Sequence, residues 1–170
     1  MRIEPATAAD VPQICELWNT LIRDTATTFT TQEKTPDDLL AMIAAGRAAD
    51  QAFLVARNNG RFVGFALCFA FRGGPGYAHT LEHSVHLCPD ARGAGIGRAL
   101  MTALEEAQLR AGTRHLIAGV SGENPGGVAF HKAIGFAEVG RLPEAGYKFG
   151  RWMDLVLLQK TLSMKPDIRG

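Results

Sequence analysis

A chain of 170 residues, 46% of them hydrophobic, has the size of one domain and can bury a substantial core. Its 18 lysines and arginines nearly balance its 17 aspartates and glutamates, and the net charge of +1 predicts neither a nucleic-acid-binding surface nor an acidic tail. The N-terminal sequence lacks the apolar core of a signal peptide, and the longest apolar run, 62–71, is about half as long as a membrane helix, so we expect a cytoplasmic protein that binds no membrane.

The three cysteines, Cys15, Cys68 and Cys88, are scattered along the chain, and each lies inside an apolar pattern. An odd number of cysteines without regular spacing favours reduced, buried thiols over disulfides. A catalytic thiol at Cys88 is the alternative that this pattern leaves open.

The first predicted elements are a short strand at 2–6 and a helix that Thr7 or Asp10 can cap. The helix ends near Thr25. Its apolar side chains recur at helical spacing, at Val11, Ile14, Leu17, Trp18, Leu21 and Ile22.

The polar run TATTFTTQEK has poor helix propensity and contains one aromatic residue, Phe29. It therefore predicts a loop, which either lines a cleft or only connects two helices. The pair Thr35-Pro36 supplies an N-cap and a first-turn proline, and predicts a second helix through about Ala48. Farther on, Asn59-Gly60 lies between two apolar runs and is a strong signal of a β-hairpin.

The stretch TLEHSVHLCP, 80–89, predicts a third strand after the hairpin. Because side chains alternate across a strand, one face is expected to carry Glu82, Ser84, His86 and Cys88, and the other Leu81, His83, Val85 and Leu87. His79 and His83 then face away from His86 and Cys88. Three metal ligands do not converge in this arrangement, so we expect no metal site.

The stretch PDARGAGIGRAL places Gly93, Gly95 and Gly97 at alternate positions ahead of a long helical pattern, between Arg92 and Arg98. Glycine permits positive φ angles, and the free N–H groups at the start of a helix favour an anion such as phosphate. The G-x-G-x-G spacing matches neither the dinucleotide fingerprint nor the P-loop. The simpler alternative is a set of glycines that only tighten the turn and cap the helix.

The helix after this turn has an apolar stripe and ends at Gly112. The final elements are predicted in this order: a strand, 114–121; a helix from Asn124-Pro125 to Gly135; and two strands, 136–142 and 151–162, joined by a loop, 143–150. The whole pattern favours an α/β fold with a mixed sheet and helices on both faces.

Glu82 lies on a mostly apolar strand that leads into the glycine turn. Ligands of open α/β sheets bind at the carboxyl ends of strands, so Glu82 is expected close to a ligand. Burial raises the pKa of a carboxyl group, which suits a general base at neutral pH. A surface glutamate on an edge strand is the simpler alternative.

The strand with Glu82 is followed by Arg92-Gly93-Ala94-Gly95-Ile96-Gly97, and later by Asn124 and by Phe130-His131 leading to Gly135-Phe136. This order resembles the GNAT superfamily of N-acetyltransferases, whose signature [Q/R]-x-x-G-x-[G/A] is matched by Arg92, Gly95 and Gly97. More narrowly, TLEHSVHLCPDARGAGIGRAL and GFAEVGRLPEAGYKFGRWMDLVLLQ are similar to the phosphinothricin and methionine sulfoximine acetyltransferases. Similar motifs extend to about residue 162, so we expect one acetyltransferase domain, 1–162, and a C-terminal tail, 163–170.

The resemblance implies a mixed, mostly antiparallel sheet of six to seven strands with helices on both faces, and acetyl-CoA as co-substrate without a metal. Glu82 would be the general base that deprotonates the substrate ammonium. His131 occupies the position of a group that protonates the leaving thiolate, although a thiolate also leaves without an acid. The implied acetyl-CoA-binding residues are Val85, His86 and Leu87 along the pantetheine, Arg92, Gly93, Ala94, Gly95, Ile96, Gly97 and Arg98 at the pyrophosphate, and Asn124 at the pantetheine arm.

The implied substrate is a small amine, namely the α-amino group of an amino acid or analogue such as methionine sulfoximine, methionine sulfone or phosphinothricin. Phe29, Arg72 and Tyr77 would contact it. Gly74 stands where related chains commonly carry a second arginine, which weakens the expected binding of a phosphinate or carboxylate group. A polyamine, a protein N-terminus, or a non-catalytic acetyl-CoA-binding role are the alternatives. Related enzymes are homodimers, and the apolar final strand could serve such a contact.

Overall fold

Residues 1–163, which this computed structural model describes, fold into seven β-strands and four α-helices. Of the expected C-terminal tail, 163–170, all but Ser163 lies outside the described residues. In chain order the elements are β1 (Arg2–Pro5), α1 (Val11–Asp24), α2 (Pro36–Ala48), β2 (Phe53–Asn58), β3 (Arg61–Ala70), β4 (Thr80–Leu87), α3 (Ile96–Arg110), β5 (His115–Ser121), α4 (Pro125–Ala133), β6 (Ala137–Lys148) and β7 (Arg151–Thr161).

The strands form one sheet in the order β1-β2-β3-β4-β5-β7-β6. Neighbouring strands run antiparallel except β4 and β5, which are parallel. A parallel pair needs a crossover connection, and α3 supplies it. The expected mixed, mostly antiparallel sheet with helices on both faces is confirmed.

The parallel pair β4 and β5 is joined over only a short length. Their register runs from Thr80 opposite His115 to Glu82 opposite Ile117. Beyond this point β4 stays paired with β3 as far as Leu87, and β5 stays paired with β7 as far as Ser121. The two strands therefore diverge after Glu82, and no described strand pairs with the backbone groups along their facing edges.

Two hydrophobic cores lie on the two faces of the sheet. α1 and α2 cover the core around Phe65, to which Ile14 and Leu39 contribute fully buried side chains. α3 and α4 cover the other core, where Leu100 packs with Leu116. Burial of these apolar side chains is the main force that holds the helices to the sheet. Within residues 1–163, no helix combines the length and the apolar character that crossing a bilayer requires.

Local sequence signals set several element boundaries as expected. Asn59 and Gly60 both have positive φ angles, 50° and 79°, as a tight hairpin turn between β2 and β3 requires. Thr35 caps α2, because its hydroxyl accepts a hydrogen bond from the Asp38 backbone N–H at 3.1 Å. Asn124 caps α4 in the same way, with its Oδ1 accepting from the Gly127 N–H at 2.9 Å.

The predicted loop at 143–150 is wrong, since most of it belongs to β6. The pairing of β6 with β7 shifts register between Leu142 and Gly146 and then continues to Lys148 opposite Arg151. A bulge of this kind absorbs extra residues, including a proline, without ending a strand. Glu144 has a φ of 51° within the bulge, and the hairpin turn lies at Phe149-Gly150.

Candidate active site

A cleft of about 1000 Å³ opens where β4 and β5 diverge. It is bordered by the α1–α2 loop, the facing edges of the two strands, the glycine turn and the start of α4. Of the expected site residues, those that line the cleft are Phe29, Glu82, Val85, His86, Leu87, Arg92, Gly93, Gly95, Gly97, Arg98, Asn124 and His131. Those that lie within residues 1–163 but outside the lining are Arg72, Gly74, Tyr77, Ala94 and Ile96.

The three glycines of the turn have different physical roles. Gly93 and Gly95 both have φ angles of +77°, and the space in front of each is open. Gly97 lies in the helix, where a Cβ atom would meet the Phe130 ring and a Leu87 methyl group at 3.3 Å. The first two glycines therefore shape the turn, and the third allows α3 to pack closely.

The start of α3 combines the features of an anion site. Gly95 is its N-cap residue and offers no side chain to the first N–H groups of the helix. These groups are at the positive end of the helix dipole, and Arg92 and Arg98 line the same part of the cleft. An anionic ligand in the cleft would thus find both hydrogen-bond donors and positive charge.

Glu82 is half-buried at the point where β4 and β5 separate. Burial raises the pKa of its carboxyl group. Its Oε1 atom lies 3.0 Å from the position that a Cβ atom on Gly119 would occupy, so the glycine on β5 provides room for the carboxylate. Within residues 1–163 no protein group donates a hydrogen bond to this side chain, which leaves it available to a ligand in the cleft.

His83 and His86 lie on opposite faces of β4, as strand alternation predicts. His86 packs against the Trp18 ring, and His83 packs against the Phe136 ring. Burial lowers the pKa of His83 to about 3 and that of His86 to about 4. Both imidazoles are therefore neutral at physiological pH.

His83 forms a buried pair with His131. The two Nε2 atoms are 3.0 Å apart, and the His131 Nδ1 atom is 2.7 Å from the Gly127 carbonyl oxygen. Because that carbonyl can only accept, His131 carries its proton on Nδ1, and its Nε2 accepts a hydrogen bond from His83. Burial also lowers the pKa of His131. In this arrangement neither nitrogen of His131 has an N–H group free for a ligand.

Asn124 uses only part of its hydrogen-bonding capacity in capping α4. Its Oδ1 is bound to the Gly127 N–H, whereas its Nδ2 donates to no group of residues 1–163. Asn124 lines the cleft together with Gly126 and Gly127. A ligand lying between β4 and α4 can therefore accept a hydrogen bond from the Asn124 amide.

The α1–α2 loop forms one wall of the cleft through Thr27, Thr28 and Phe29. The Phe29 ring packs directly on Gly146 of β6, where even a Cβ atom would overlap it. Lys148 donates hydrogen bonds from Nζ to backbone carbonyls of the same loop. Sequence reasoning missed the roles of Gly146 and Lys148, because the pattern of the segment that contains them predicts a loop between two strands.

Arg72, Gly74 and Tyr77 lie on the connection between β3 and β4. The Arg72 guanidinium is 5.3 Å from the centre of the Phe71 ring, and this ring contacts Tyr77 edge-on. The connection joins Phe69 to Glu82, which both line the cleft. Arg72, Gly74 and Tyr77 themselves lie outside the lining of the cleft.

The three cysteines are all free thiols. Burial raises the pKa of Cys68 and, together with the Asp90 carboxylate, that of Cys88. Cys88 lies outside the lining of the cleft, with its sulfur 3.9 Å from the Phe62 carbonyl oxygen. The thiol of Cys88 is thus poorly placed and poorly ionised for a nucleophilic role.

Comparison with known proteins adds independent evidence. The model of the acetyltransferase (GNAT) family matches residues 16–136. The chain is 34% identical to L-amino acid N-acyltransferase MnaT of Escherichia coli over the full length of both proteins. It is 33% identical to an L-methionine sulfoximine/L-methionine sulfone acetyltransferase of Salmonella typhimurium over 95% of each chain. The crystal structure of a Sinorhizobium meliloti phosphinothricin acetyltransferase in complex with acetyl-CoA superimposes with a TM-score of 0.90 at 30% identity, over 95% of this chain and 88% of that one.

Proposed function

The chain belongs to the GNAT family of acetyltransferases, and from this premise we propose that it transfers the acetyl group of acetyl-CoA to the α-amino group of a small amino acid or analogue. Methionine sulfoximine, methionine sulfone and phosphinothricin are the first substrates to consider, because relatives are named for acting on them. The observation that carries the proposal is the half-buried, unpartnered carboxylate of Glu82 in a cleft that also contains an anion-binding helix start.

We propose that the glycine turn holds the pyrophosphate of acetyl-CoA. The backbone N–H groups from Gly93 to Arg98, including those of Ala94 and Ile96, would donate to it, and Arg92 would add charge. A residue can bind through its backbone N–H without its side chain lining the cleft, so the positions of Ala94 and Ile96 are compatible with this role.

The free edge of β4 fits the pantetheine arm. On the side that faces β5, no strand formed by residues 1–163 pairs with Val85, His86 and Leu87. Their backbone groups would bind the amides of the arm as another strand would, and the Asn124 amide would donate to it from the opposite side. The thioester would then lie close to Glu82.

Glu82 would act as the general base. An amine with a pKa of about 9 to 10 is mostly protonated at neutral pH, so it must lose a proton before it can attack. The Glu82 carboxylate would take this proton, directly or through a water molecule. The neutral amine then forms the new C–N bond to the thioester carbon, and the C–S bond breaks to release the thiolate of coenzyme A. The nitrogen loses its second proton, which passes through solvent to the thiolate, and the products are the neutral amide and coenzyme A.

His131 is the second proposed catalytic residue. In the described geometry both of its ring nitrogens are engaged, so it has no proton to give to the thiolate. This favours the alternative in which the thiolate leaves without an acid. We therefore propose that His131, which lies in the last turn of α4, shapes the cleft together with His83.

For the substrate side we propose that Phe29 forms the wall and that Arg72 and Tyr77 meet the distal end of the substrate at the rim. Gly74 leaves this rim without a second cation. A phosphinate group would consequently bind more weakly than it would beside two arginines.

The test is an assay of thiol release from acetyl-CoA with a panel of amino acids, analogues, polyamines and a peptide N-terminus. We expect release with methionine sulfoximine, methionine sulfone or phosphinothricin, and more of it as pH rises from 6 to 9. Release with polyamines or the peptide alone would exclude the amino acid substrate. Tight binding of acetyl-CoA without release on any amine would favour a non-catalytic binding module.

We also propose a cytoplasmic homodimer. Three free thiols suit a reducing compartment. The β6–β7 hairpin at the edge of the sheet exposes Tyr147, Phe149 and Trp152, which are apolar side chains typical of protein interfaces. A mass of twice the chain mass in sedimentation equilibrium would support the dimer, and the mass of one chain at micromolar concentration would contradict it.

A further inference from the structure

Lys148 is a buried cation behind the wall of the cleft. Only 3% of the residue is exposed. Its Nζ donates to the carbonyl oxygens of Thr25 at 2.7 Å and Thr28 at 2.8 Å, and lies 5.0 Å from the centre of the Phe149 ring. Within residues 1–163 no carboxylate forms an ion pair with it. Among residues 1–163, its charge is therefore balanced by the dipoles of two peptide groups and by the face of the Phe149 ring.

These two peptide groups turn their opposite ends away from Lys148. In a trans peptide the N–H group points opposite to the C=O group, so the N–H groups of Ala26 and Phe29 point away from the ammonium. Thr27, Thr28 and Phe29 line the cleft, whereas Lys148 does not. Of the two N–H groups, that of Phe29 therefore belongs to a residue of the cleft wall, whereas that of Ala26 does not. Within the described chain neither N–H group donates to a protein acceptor.

The cleft offers few other positions for a substrate carboxylate. Arg72 lies outside its lining, and Arg92 and Arg98 belong to the glycine turn. Lys34 is the remaining lining cation, and its Nζ lies 5.3 Å from the centre of the Trp18 ring. Glu82 would attract the substrate ammonium, so a carboxylate on the same substrate would bind best beside a hydrogen-bond donor or a positive charge elsewhere in the cleft.

We propose that Lys148 is a positioning residue that holds the α1–α2 loop with the Phe29 N–H group available to the cleft, and that it thereby strengthens the binding of the substrate carboxylate. The proposal rests on the proposed function and adds a residue that determines how the substrate carboxylate is recognised. Lys148 acts through the loop, because the hydrogen bonds to Thr25 and Thr28 fix the peptide planes and its charge polarises them. Burial lowers the pKa of Lys148, but the two carbonyl acceptors favour the charged form.

The experiment compares an amino acid substrate with its methyl ester, which keeps the α-amino group but lacks the anion. For the wild-type protein we expect kcat/KM to be at least about tenfold higher for the acid than for the ester. In Lys148→Met the KM for the acid rises about tenfold, whereas the KM values for the ester and for acetyl-CoA change less than about twofold. Lys148→Arg, which keeps the charge, restores part of the preference for the acid.

Two control variants separate charge from shape. Lys132→Met removes an exposed lysine that pairs with Glu138, and it should leave the KM for the acid and the KM for the ester unchanged. Gly146→Ala displaces the Phe29 ring but keeps Lys148 and its hydrogen bonds to the loop. It should therefore raise the KM for the acid and the KM for the ester by the same factor.

Three results would overturn the inference. The first is an equal rise in the KM for the acid and the KM for the ester in Lys148→Met, which would assign the lysine a purely structural role. The second is a rise in the KM for the acid alone in Lys34→Met but not in Lys148→Met. The third is an equal kcat/KM for the acid and the ester in the wild-type protein. This result can be obtained even if none of the variants folds. Failure of the wild-type protein to acetylate any amine would instead refute the proposed function.

Discussion

Replacing Glu82 with glutamine is expected to reduce kcat/KM by about 10²- to 10⁴-fold at neutral pH, because the substrate ammonium loses its proton acceptor. Glutamine keeps the size of the side chain and fits the space beside Gly119. Calorimetric binding of acetyl-CoA should therefore be unchanged. The measurement is steady-state thiol release with the best amino acid substrate, together with the binding isotherm.

The pH profile gives this prediction a second readout. Burial raises the pKa of Glu82, so in the wild-type protein activity falls as pH decreases through that pKa and the carboxylate becomes protonated. The glutamine variant loses this limb and follows only the ionisation of the amine. Glu106→Gln, an exposed position on α3, is the matched control and should behave as the wild type. Full activity of Glu82→Gln would rule out the base, and equal loss of binding and turnover would point to a folding defect.

Replacing Gly95 with alanine is expected to raise the Kd of acetyl-CoA at least about tenfold, which corresponds to one lost charge-assisted hydrogen bond of about 1.5–3 kcal/mol. Alanine at a φ of +77° costs about 1–2 kcal/mol, and the turn relieves this strain by moving its N–H groups. The added methyl group also occupies the open space in front of the turn, where the pyrophosphate is proposed to bind.

Gly112→Ala is the matched control for this prediction. Gly112 lies just after the other end of α3, has a φ of +87° and also faces open space. The two variants should lose similar stability in urea denaturation, but only Gly95→Ala should bind acetyl-CoA more weakly. If both variants bind with wild-type affinity, the pyrophosphate does not lie at this turn. If both lose affinity equally, the effect belongs to stability.

Much of the secondary structure could be predicted because it depends on short segments. Asn59-Gly60 adopts positive φ angles with little strain, and Thr35-Pro36 and Asn124-Pro125 satisfy the first N–H groups of their helices wherever the helices pack. The strand pattern around Glu82 placed His83 and His86 on opposite faces for the same local reason.

The segment 143–150 shows that pairing with a distant strand can override a local pattern typical of a loop. Pro143, Gly146 and Gly150 are typical of a loop, but pairing with β7 extends β6 through a bulge as far as Lys148. For the same reason the sequence did not predict that Gly146 packs against Phe29 or that Lys148 binds the α1–α2 loop. Gly146 and Lys148 contact a loop more than 110 residues away in sequence, and no periodicity within one segment reports such a contact.

The order of elements, the glycine turn before α3, the carboxylate on β4 and the resemblance to the GNAT superfamily are all readable in the amino-acid sequence. The separation of β4 from β5, the packing role of Gly97 and the pairing of His131 with His83 become visible in the folded chain. The physical reason is that φ, ψ and capping preferences act within a few residues, whereas burial depends on segments brought together from the whole chain. Burial sets the raised pKa of Glu82 and the position of Lys148, and so the chemistry of the cleft.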